Sequence, residues 1–303
     1  MTEMTDLQRE ISTCLPHIKI LFGEEMSKHT SFRIGGPAEV MVFPQNKEEL
    51  QALLEKSRLL DIKPAILGAG TNILAPDEGI SGLVICLKDS LADMEKTDDT
   101  HIRVDAGVSM TKAAVFAANH GLSGLEFAHG IPGSVGGGVY MNAGAYGGEI
   151  KDVCVSVEAM DRNGVLHTYT GEEMAFSYRH SRLEESGEIV VSATFSLIPK
   201  DPSEIRETMQ TLAAKRKASQ PLDKPSAGSA FKRPVGGYAA ALIDGAGLKG
   251  YQVGGAAVSQ KHAGFVVNLG DATAREVKKV LSDVSDMVYE KSGIRLEPEV
   301  RIW

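Results

Sequence analysis

Residues 126–148 read Glu-Phe-Ala-His-Gly-Ile-Pro-Gly-Ser-Val-Gly-Gly-Gly-Val-Tyr-Met-Asn-Ala-Gly-Ala-Tyr-Gly-Gly, and no other stretch of the chain constrains its fold as tightly. Glycines let backbone amides approach a ligand with no side chain between, and Pro132 fixes one backbone angle within the run. Successive amides of this kind form anion-binding concavities, so a phosphate is the expected guest. The bland alternative is a long mobile surface loop. Ile131, Val135, Val139 and Met141 argue against it, because a solvated loop has little use for apolar side chains.

The rest of the chain limits what that phosphate belongs to. With 303 residues, 43% of them hydrophobic, the chain can build two or three packed units. Its 32 basic and 40 acidic residues give a net charge of −8, the wrong sign for a general nucleic-acid binder or a protein that sits on anionic membranes. Any anionic ligand must therefore be held by local basic groups and backbone amides. Cys14, Cys86 and Cys154 are far apart, so neither a disulfide framework nor a zinc cluster is expected, and a reducing cytoplasm fits best. Glu3, Asp6, Arg9 and Glu10 interrupt any secretory signal, and no later run reaches membrane-spanning length, so a soluble intracellular protein is expected.

Taken in order, Leu7, Ile11 and Leu15 predict an amphipathic helix ending near Pro16. A strand follows at 40–43, then a helix over 46–60 and a buried strand at 64–67, together a β-α-β unit. Strands are expected at 83–87 and 102–104, and Ser109 is the natural N-cap of a helix running to Asn119. Asp161-Arg-Asn-Gly164 marks a hairpin between strands 153–160 and 165–169, and a further strand covers 189–197. Pro199 and Pro202 mark a change of texture and a domain boundary, after which a helix over 203–218 begins a separate lobe. The last helix, 273–291, carries Val277, Val280, Leu281, Val284 and Val288 on one face, and a closing strand over 295–302 contains Glu299.

Two glycine patterns invite a Rossmann reading, and neither sustains it. Leu67-Gly-Ala-Gly-Thr-Asn-Ile-Leu74 follows a strand but lacks the third glycine and the helix, although its amides with Thr71 and Asn72 suit an anion. Gly245-Ala-Gly-Leu-Lys-Gly250 has the literal spacing, yet it follows a helix-like segment and precedes a glycine-rich one.

Several phrases occur together and in order: Arg33-Ile-Gly-Gly-Pro37, Leu67-Gly-Ala-Gly-Thr-Asn-Ile-Leu74, Gly130-Ile-Pro-Gly-Ser-Val-Gly-Gly137, Asn142-Ala-Gly-Ala-Tyr-Gly147, Ser177-Tyr-Arg-His-Ser181, Ala227-Gly-Ser-Ala-Phe-Lys-Arg-Pro234 and Glu297-Pro-Glu-Val-Arg301. From about Lys28 to its C-terminus the chain closely resembles the UDP-N-acetylenolpyruvoylglucosamine reductases, flavin enzymes of bacterial peptidoglycan precursor synthesis. The resemblance implies an α+β protein. An FAD-binding fold of the vanillyl-alcohol-oxidase type would occupy 1–200, as subdomains of about 1–95 and 96–200, with a smaller α+β substrate domain at 201–303.

The resemblance also implies noncovalent FAD, NADPH as hydride donor, and a UDP-sugar enolpyruvyl ether as small-molecule substrate. It implies no metal, no nucleic acid and no membrane. Oligomeric state is not legible, and a monomer is the default expectation. The implied cofactor-binding residues are Arg33; Gly68, Ala69, Gly70, Thr71, Asn72, Ile73 and Leu74; Gly130, Ile131, Pro132, Gly133, Ser134 and Gly137; and Asn142, Ala143, Gly144 and Ala145. His129, beside this cradle, is read as structural and not as a flavin attachment point. Arg179 is the implied partner of the enolpyruvyl carboxylate, since a planar guanidinium binds a carboxylate bidentately and stabilises enolate charge. Ser229 is the implied proton donor, and Glu299 shares in enol stabilisation or proton relay.

Tyr146 and Tyr178, with Lys217, Arg233 and His262, are implied substrate contacts. Many relatives carry a Lys before the Gln-Pro of the last lobe, whereas Ser219 precedes Gln220-Pro221 here, leaving Lys217 or Arg216 as substitutes for the diphosphate contact. The short span from Arg179 to Ser229 resembles the subtype without an extra substrate-capping loop. A sibling FAD oxidase with another substrate and a non-catalytic flavin-binding module are the alternatives. The presence of Arg179, Ser229 and Glu299 in their motifs favours the reductase.

Overall fold

A computed structural model describes residues 4–303, which fall into two compact units. The first comprises residues 4–22, 39–69 and 82–215; the second comprises 23–38, 70–81 and 216–303. The composition break at Pro199 and Pro202 marks the start of the helix Pro202–Ser219, and the compact units part within that helix. Residues 23–38 and 70–81, which lie within the 1–95 stretch, pack with the C-terminal segment.

In the first unit, five strands lie in the order Leu166–Thr170, Cys154–Met160, Ile189–Ser196, His101–Asp105 and Met94–Lys96, all adjacent pairs antiparallel. The hairpin expected at Asp161-Arg-Asn-Gly164 joins the first two, with Asp161 Oδ1 accepting the amides of Asn163 and Val165 at 2.8 and 2.9 Å. A second sheet orders Lys19–Glu25, Pro37–Phe43, Ile80–Cys86 and Ala65–Leu67. The helix Lys47–Leu59 thus links two strands of one sheet that are separated by a third. Asn46 caps that helix by accepting the Glu49 amide at 2.9 Å, and Leu50, Leu53 and Leu54 are buried, so the spacing of its leucines sets the face it packs. Ser109 likewise caps the helix Met110–Asn119 by accepting the Lys112 amide.

The 126–148 stretch is not one loop. It forms a 3-10 turn at Glu126–Gly130, a short helix Val135–Tyr140 capped by Ser134, and a tight pairing of Gly144–Ala145 with Gly148–Glu149. The buried Val135 and Val139 lie on the helix and join the core of this unit, which explains the apolar residues in a glycine-rich run.

The second unit has an antiparallel sheet ordered Ser226–Ser229, Phe265–Asn268, Ala256–Val258 and Gln252–Val253, against which the helix Ala274–Ser292 packs. Val277, Val280, Leu281, Val284 and Val288 are all buried, as their spacing predicts. The closing strand is shorter than expected: Arg301–Ile302 pairs in parallel with Ile73–Leu74, and Glu299 lies just before it. Pro298, which has no N–H to contribute to a longer ladder, stands within this segment, and 294–300 pairs only through the bridge of Pro298 to Phe231.

Asp77 ties residues 70–81 into this unit. Its carboxylate accepts the amides of Ala274 and Arg275 at 2.7 and 3.1 Å, beside the capping box formed by Thr273 and Glu276. These are first-turn amides with no partner inside the helix, and a carboxylate there also meets the positive end of the helix dipole. Asp77→Ala removes both bonds while Thr273 keeps its own. It should lower stability by about 1–2 kcal/mol, read as a fall in the thermal midpoint of the purified protein.

Candidate active site

The glycine-rich cradle rests on backbone pairing with residues 106–110. The amides of Val135 and Gly136 donate to the carbonyls of Val108 and Ala106, both at 2.8 Å, and the Met110 amide donates to the Gly133 carbonyl at 2.9 Å. A Cβ on Gly136 would lie 2.9 Å from the Ala106 Cβ, so this pairing needs glycine there. Gly68 makes a second close approach: a Cβ on it would lie 2.6 Å from Ser134 Oγ. The turn after Ala65–Leu67 and the turn at 133–137, which the sequence suggests act together, therefore touch within one unit.

These turns fit a bound dinucleotide. Gly68 and Gly137 both lie against Ser134 Oγ and add no side chain of their own, and His129 Nδ1 is buried without a hydrogen-bond partner, a polar atom left for a group not contained in the protein. Some expected donors are already committed. The Ile131 amide donates to Ala128 O at 3.0 Å, Pro132 has no N–H, and the Gly137 amide is directed to Ser134 Oγ at 3.4 Å. Of the second glycine turn, Gly68 and Ala69 lie in the first unit and residues 70–74 in the second. There the Asn72 side chain donates to Glu299 O at 3.1 Å and its carbonyl accepts the Arg301 amide at 3.0 Å. Arg33, in the second unit, has a left-handed backbone with φ 56°.

Arg179 sits in a two-residue turn closed by reciprocal bonds between Ser177 and His180, each amide donating to the other's carbonyl at 3.1 and 3.2 Å. Its φ is 55°, unusual for a residue with a Cβ. The guanidinium lies over the Tyr178 ring at 5.1 Å and reaches Gly144 O at 3.5 Å. Arg179, Tyr178 and the 142–146 segment are thus brought together in the first unit, while Tyr146 and Tyr178 stay exposed at 44% and 50%.

The second unit brings Ser229 and Glu299 onto neighbouring segments. Ser229 ends the strand Ser226–Ser229, opposite Phe265, and is exposed. The next residue, Ala230, accepts the Glu299 amide at 2.9 Å. Glu299 is half-buried, its backbone held on one side by Ala230 and on the other by Asn72.

Of the substrate candidates in this unit, His262 lines an open pocket of about 200 Å³ with Ala240, Ala241, Asp244, Lys249 and Lys261. Burial holds its imidazole below the usual range, and Nδ1 accepts the Gly264 amide at 3.2 Å, so the neutral ring carries its proton on Nε2. Arg233 stacks over Tyr238 at 4.3 Å. Lys217 is exposed and its carbonyl accepts Lys261 Nζ at 2.7 Å, whereas Arg216 is only 9% exposed.

Among the described residues, no helix is long and apolar enough to cross a membrane, and no group of three or more His, Cys, Asp or Glu side chains is arranged to hold a metal. The supports around Arg179 were not singled out from the sequence. Glu149 and Ser181 stand within quoted or adjacent phrases, but only the fold shows what they bond.

Residues 220–303 match the family described as UDP-N-acetylenolpyruvoylglucosamine reductase, C-terminal domain, and residues 38–170 match the FAD binding domain. A UDP-N-acetylenolpyruvoylglucosamine reductase from Agathobacter rectalis is 47% identical over 97% of each chain. One from Caldanaerobacter subterraneus subsp. tengcongensis is 47% identical over 94% of this chain and 93% of its own. The crystal structure of the reductase from Thermus caldophilus superposes with a TM-score of 0.79 at 36% identity, covering 95% of this chain and 99% of that one.

Gly68→Ala tests the cradle. The added methyl must displace Ser134 Oγ, a buried cap, and overpacking of this kind costs about 1–3 kcal/mol. The variant should retain flavin roughly tenfold more weakly, read as flavin absorbance per protein after gel filtration, with its circular dichroism spectrum unchanged.

Proposed function

The chain belongs to the UDP-N-acetylenolpyruvoylglucosamine reductase family, and from that premise we propose that Arg179, Ser229 and Glu299 carry out its reaction on the enolpyruvyl group. The enzyme is an FAD-containing, NADPH-dependent oxidoreductase of peptidoglycan synthesis, with an α+β FAD-binding fold of the vanillyl-alcohol-oxidase type and a C-terminal reductase domain. It reduces UDP-N-acetylglucosamine-enolpyruvate to UDP-N-acetylmuramate. The observation that carries the residue assignment is that each of the three stands in its motif on a backbone fixed by hydrogen bonds: the Arg179 turn, the end of the Ser229 strand and the doubly held Glu299 segment.

Bound FAD would supply the hydride that the methylene carbon of the enolpyruvyl group receives, drawn in turn from NADPH. Gly68, Ala69, residues 130–134 and Gly137 would hold the FAD, with Arg33, residues 70–74 and 143–145 as further contacts, the Asn142 carboxamide being committed to Glu149 and Ser177. Hydride arrival at the methylene carbon leaves negative charge on the adjacent carbon and its carboxylate. Arg179 binds that carboxylate through two parallel N–H bonds, orienting the substrate and stabilising the charge as it grows. Ser229 Oγ then gives its proton to the carbon bearing the charge. A hydroxyl is a weak acid, adequate here because the enolate carbon it protonates is a strong base. Glu299 hydrogen-bonds the enol oxygen or returns a proton to Ser229. Tyr146, Tyr178, Lys217, Arg233 and His262 are assigned to the sugar nucleotide, His262 through the donor on Nε2. We place the enzyme in the cytoplasm as a monomer, a setting that suits the free thiols of Cys14, Cys86 and Cys154.

The purified protein should be yellow and should oxidise NADPH steadily only when the enolpyruvyl sugar nucleotide is present. A flavin-loaded protein indifferent to that nucleotide would transfer the reading to another substrate, and a protein unable to take up FAD would end it. In stopped-flow measurements, Ser229→Ala should leave reduction of the flavin by NADPH within a fewfold of wild type. Oxidation of the reduced enzyme by substrate should slow by about 10²- to 10⁴-fold. Equal losses in both half-reactions would remove Ser229 as proton donor.

A further inference from the structure

Asn142 is fully buried, and its side chain is turned away from any cofactor role. One Nδ2 hydrogen goes to Glu149 Oε2 at 2.7 Å and the other to the Ser177 carbonyl at 2.9 Å, while Oδ1 accepts the Lys151 amide at 3.0 Å. A carboxamide has two donors, and both are committed to protein. Glu149 is in turn fixed by Lys151 Nζ at 2.6 Å on its other oxygen and by the pairing of Glu149 with Gly144. The Ser177 carbonyl that Asn142 holds is the same one that accepts the His180 amide to close the turn bearing Arg179. At the far end of that turn, the fully buried Ser181 donates from Oγ to the Tyr140 carbonyl at 2.8 Å. The turn is therefore suspended at both ends from residues 140–142, and its central residue keeps a left-handed backbone that a non-glycine residue adopts only when its surroundings impose it.

We propose that Asn142 is the positioning residue for Arg179: the Glu149–Asn142–Ser177 chain, with Ser181 as second anchor, sets where the guanidinium points. This rests on the role given above to Arg179. Three side chains meet at this clamp for a turn that contributes little to the core, since Ser177 and Tyr178 are exposed. A structural purpose alone would be met by closing the Ser177–His180 turn. The additional suspension acts on the orientation of the one half-buried cation at its tip.

The test uses the FAD-loaded enzyme. Asn142→Asp keeps the shape but replaces the donor with a carboxylate facing both Glu149 and a carbonyl oxygen, so the turn must move. A displacement of about 1 Å at a positioned group costs on the order of 100-fold, and kcat/KM for the enolpyruvyl sugar nucleotide should fall by about that factor while flavin content stays at one per chain. In an Arg179→Ala background the same substitution should cost less than about threefold, because the group it positions is gone. Glu149→Gln, which still offers Asn142 an acceptor, should stay within about threefold of wild type. Ser181→Ala should show the same dependence on Arg179 and serves if Asn142→Asp does not fold.

Losses from Asn142 and Arg179 that multiply would overturn the positioning role and leave the Arg179 assignment standing. A Glu149→Gln loss as large as that of Asn142→Asp would show a response to charge instead of the clamp, and would also overturn it. Full turnover in Arg179→Ala itself would remove the catalytic assignment and this inference together.

Discussion

Everything that the glycine-rich stretch does depends on three backbone bonds between residues 106–110 and 133–136, at 2.8, 2.8 and 2.9 Å. Residues 106–110 continue the strand His101–Asp105, an inner member of the five-stranded sheet, so the cradle is an extension of a strand paired on both sides. Gly136 is required where it is because the two backbones meet closer than a methyl group allows. From that attachment the chain runs through a short helix whose valines are buried, and then into Asn142 and the paired 144–149 segment. The glycine-rich run is thus tied into the fold at several points along its length.

The division of labour follows from the same geometry. The cradle offers contact without side chains, and reaction chemistry needs side chains, so the residues assigned to the enolpyruvyl group stand elsewhere: Arg179 on a suspended turn, Ser229 at a strand end, and Glu299 between two backbone anchors. None of these three positions relies on its own local propensity. Arg179 is held in an unfavourable backbone region, and Glu299 stands beside the isolated bridge of Pro298 to Phe231. Such rigidity matters because a group that stabilises charge in a transition state is most effective when it needs no reorganisation as the charge appears.

Local structure was largely legible in the sequence, and long-range partnership was not. The cap at Ser109, the hairpin at 161–164 and the valine face of the last helix are written in short spacings, and the structure carries all of them. The motifs named Arg179, Ser229 and Glu299 without saying what holds them. Asn142 read as a continuation of the cradle, because its neighbours are glycine and alanine and nothing local reveals that Glu149 and Ser177 use up its amide. The final strand covers only Arg301–Ile302, and the proline within the expected 295–302 is the one local sign that the ladder is shorter. The attachment of residues 70–81 to the last helix has no local signal at all: it depends on Asp77 meeting amides almost two hundred positions away.

That last feature has a consequence for how the chain reaches its fold. The cap supplied by Asp77 spans 197 positions to Ala274, and the pairing of Ile73–Leu74 with Arg301–Ile302 reaches to the last residues of the sequence. Contacts this distant close late, since the entropy of bringing their ends together precedes any gain from making them. During synthesis, residues 23–38 and 70–81 emerge early and can bond each other, Ser31 to the Gly70 carbonyl and Gly36 to the Pro76 carbonyl, but the rest of their unit lies in 216–303, whereas most of the other unit has its sequence in hand well before. The second unit therefore draws its pairings from segments almost two hundred positions apart, and 23–38 and 70–81 meet their remaining partners only once 216–303 has been made.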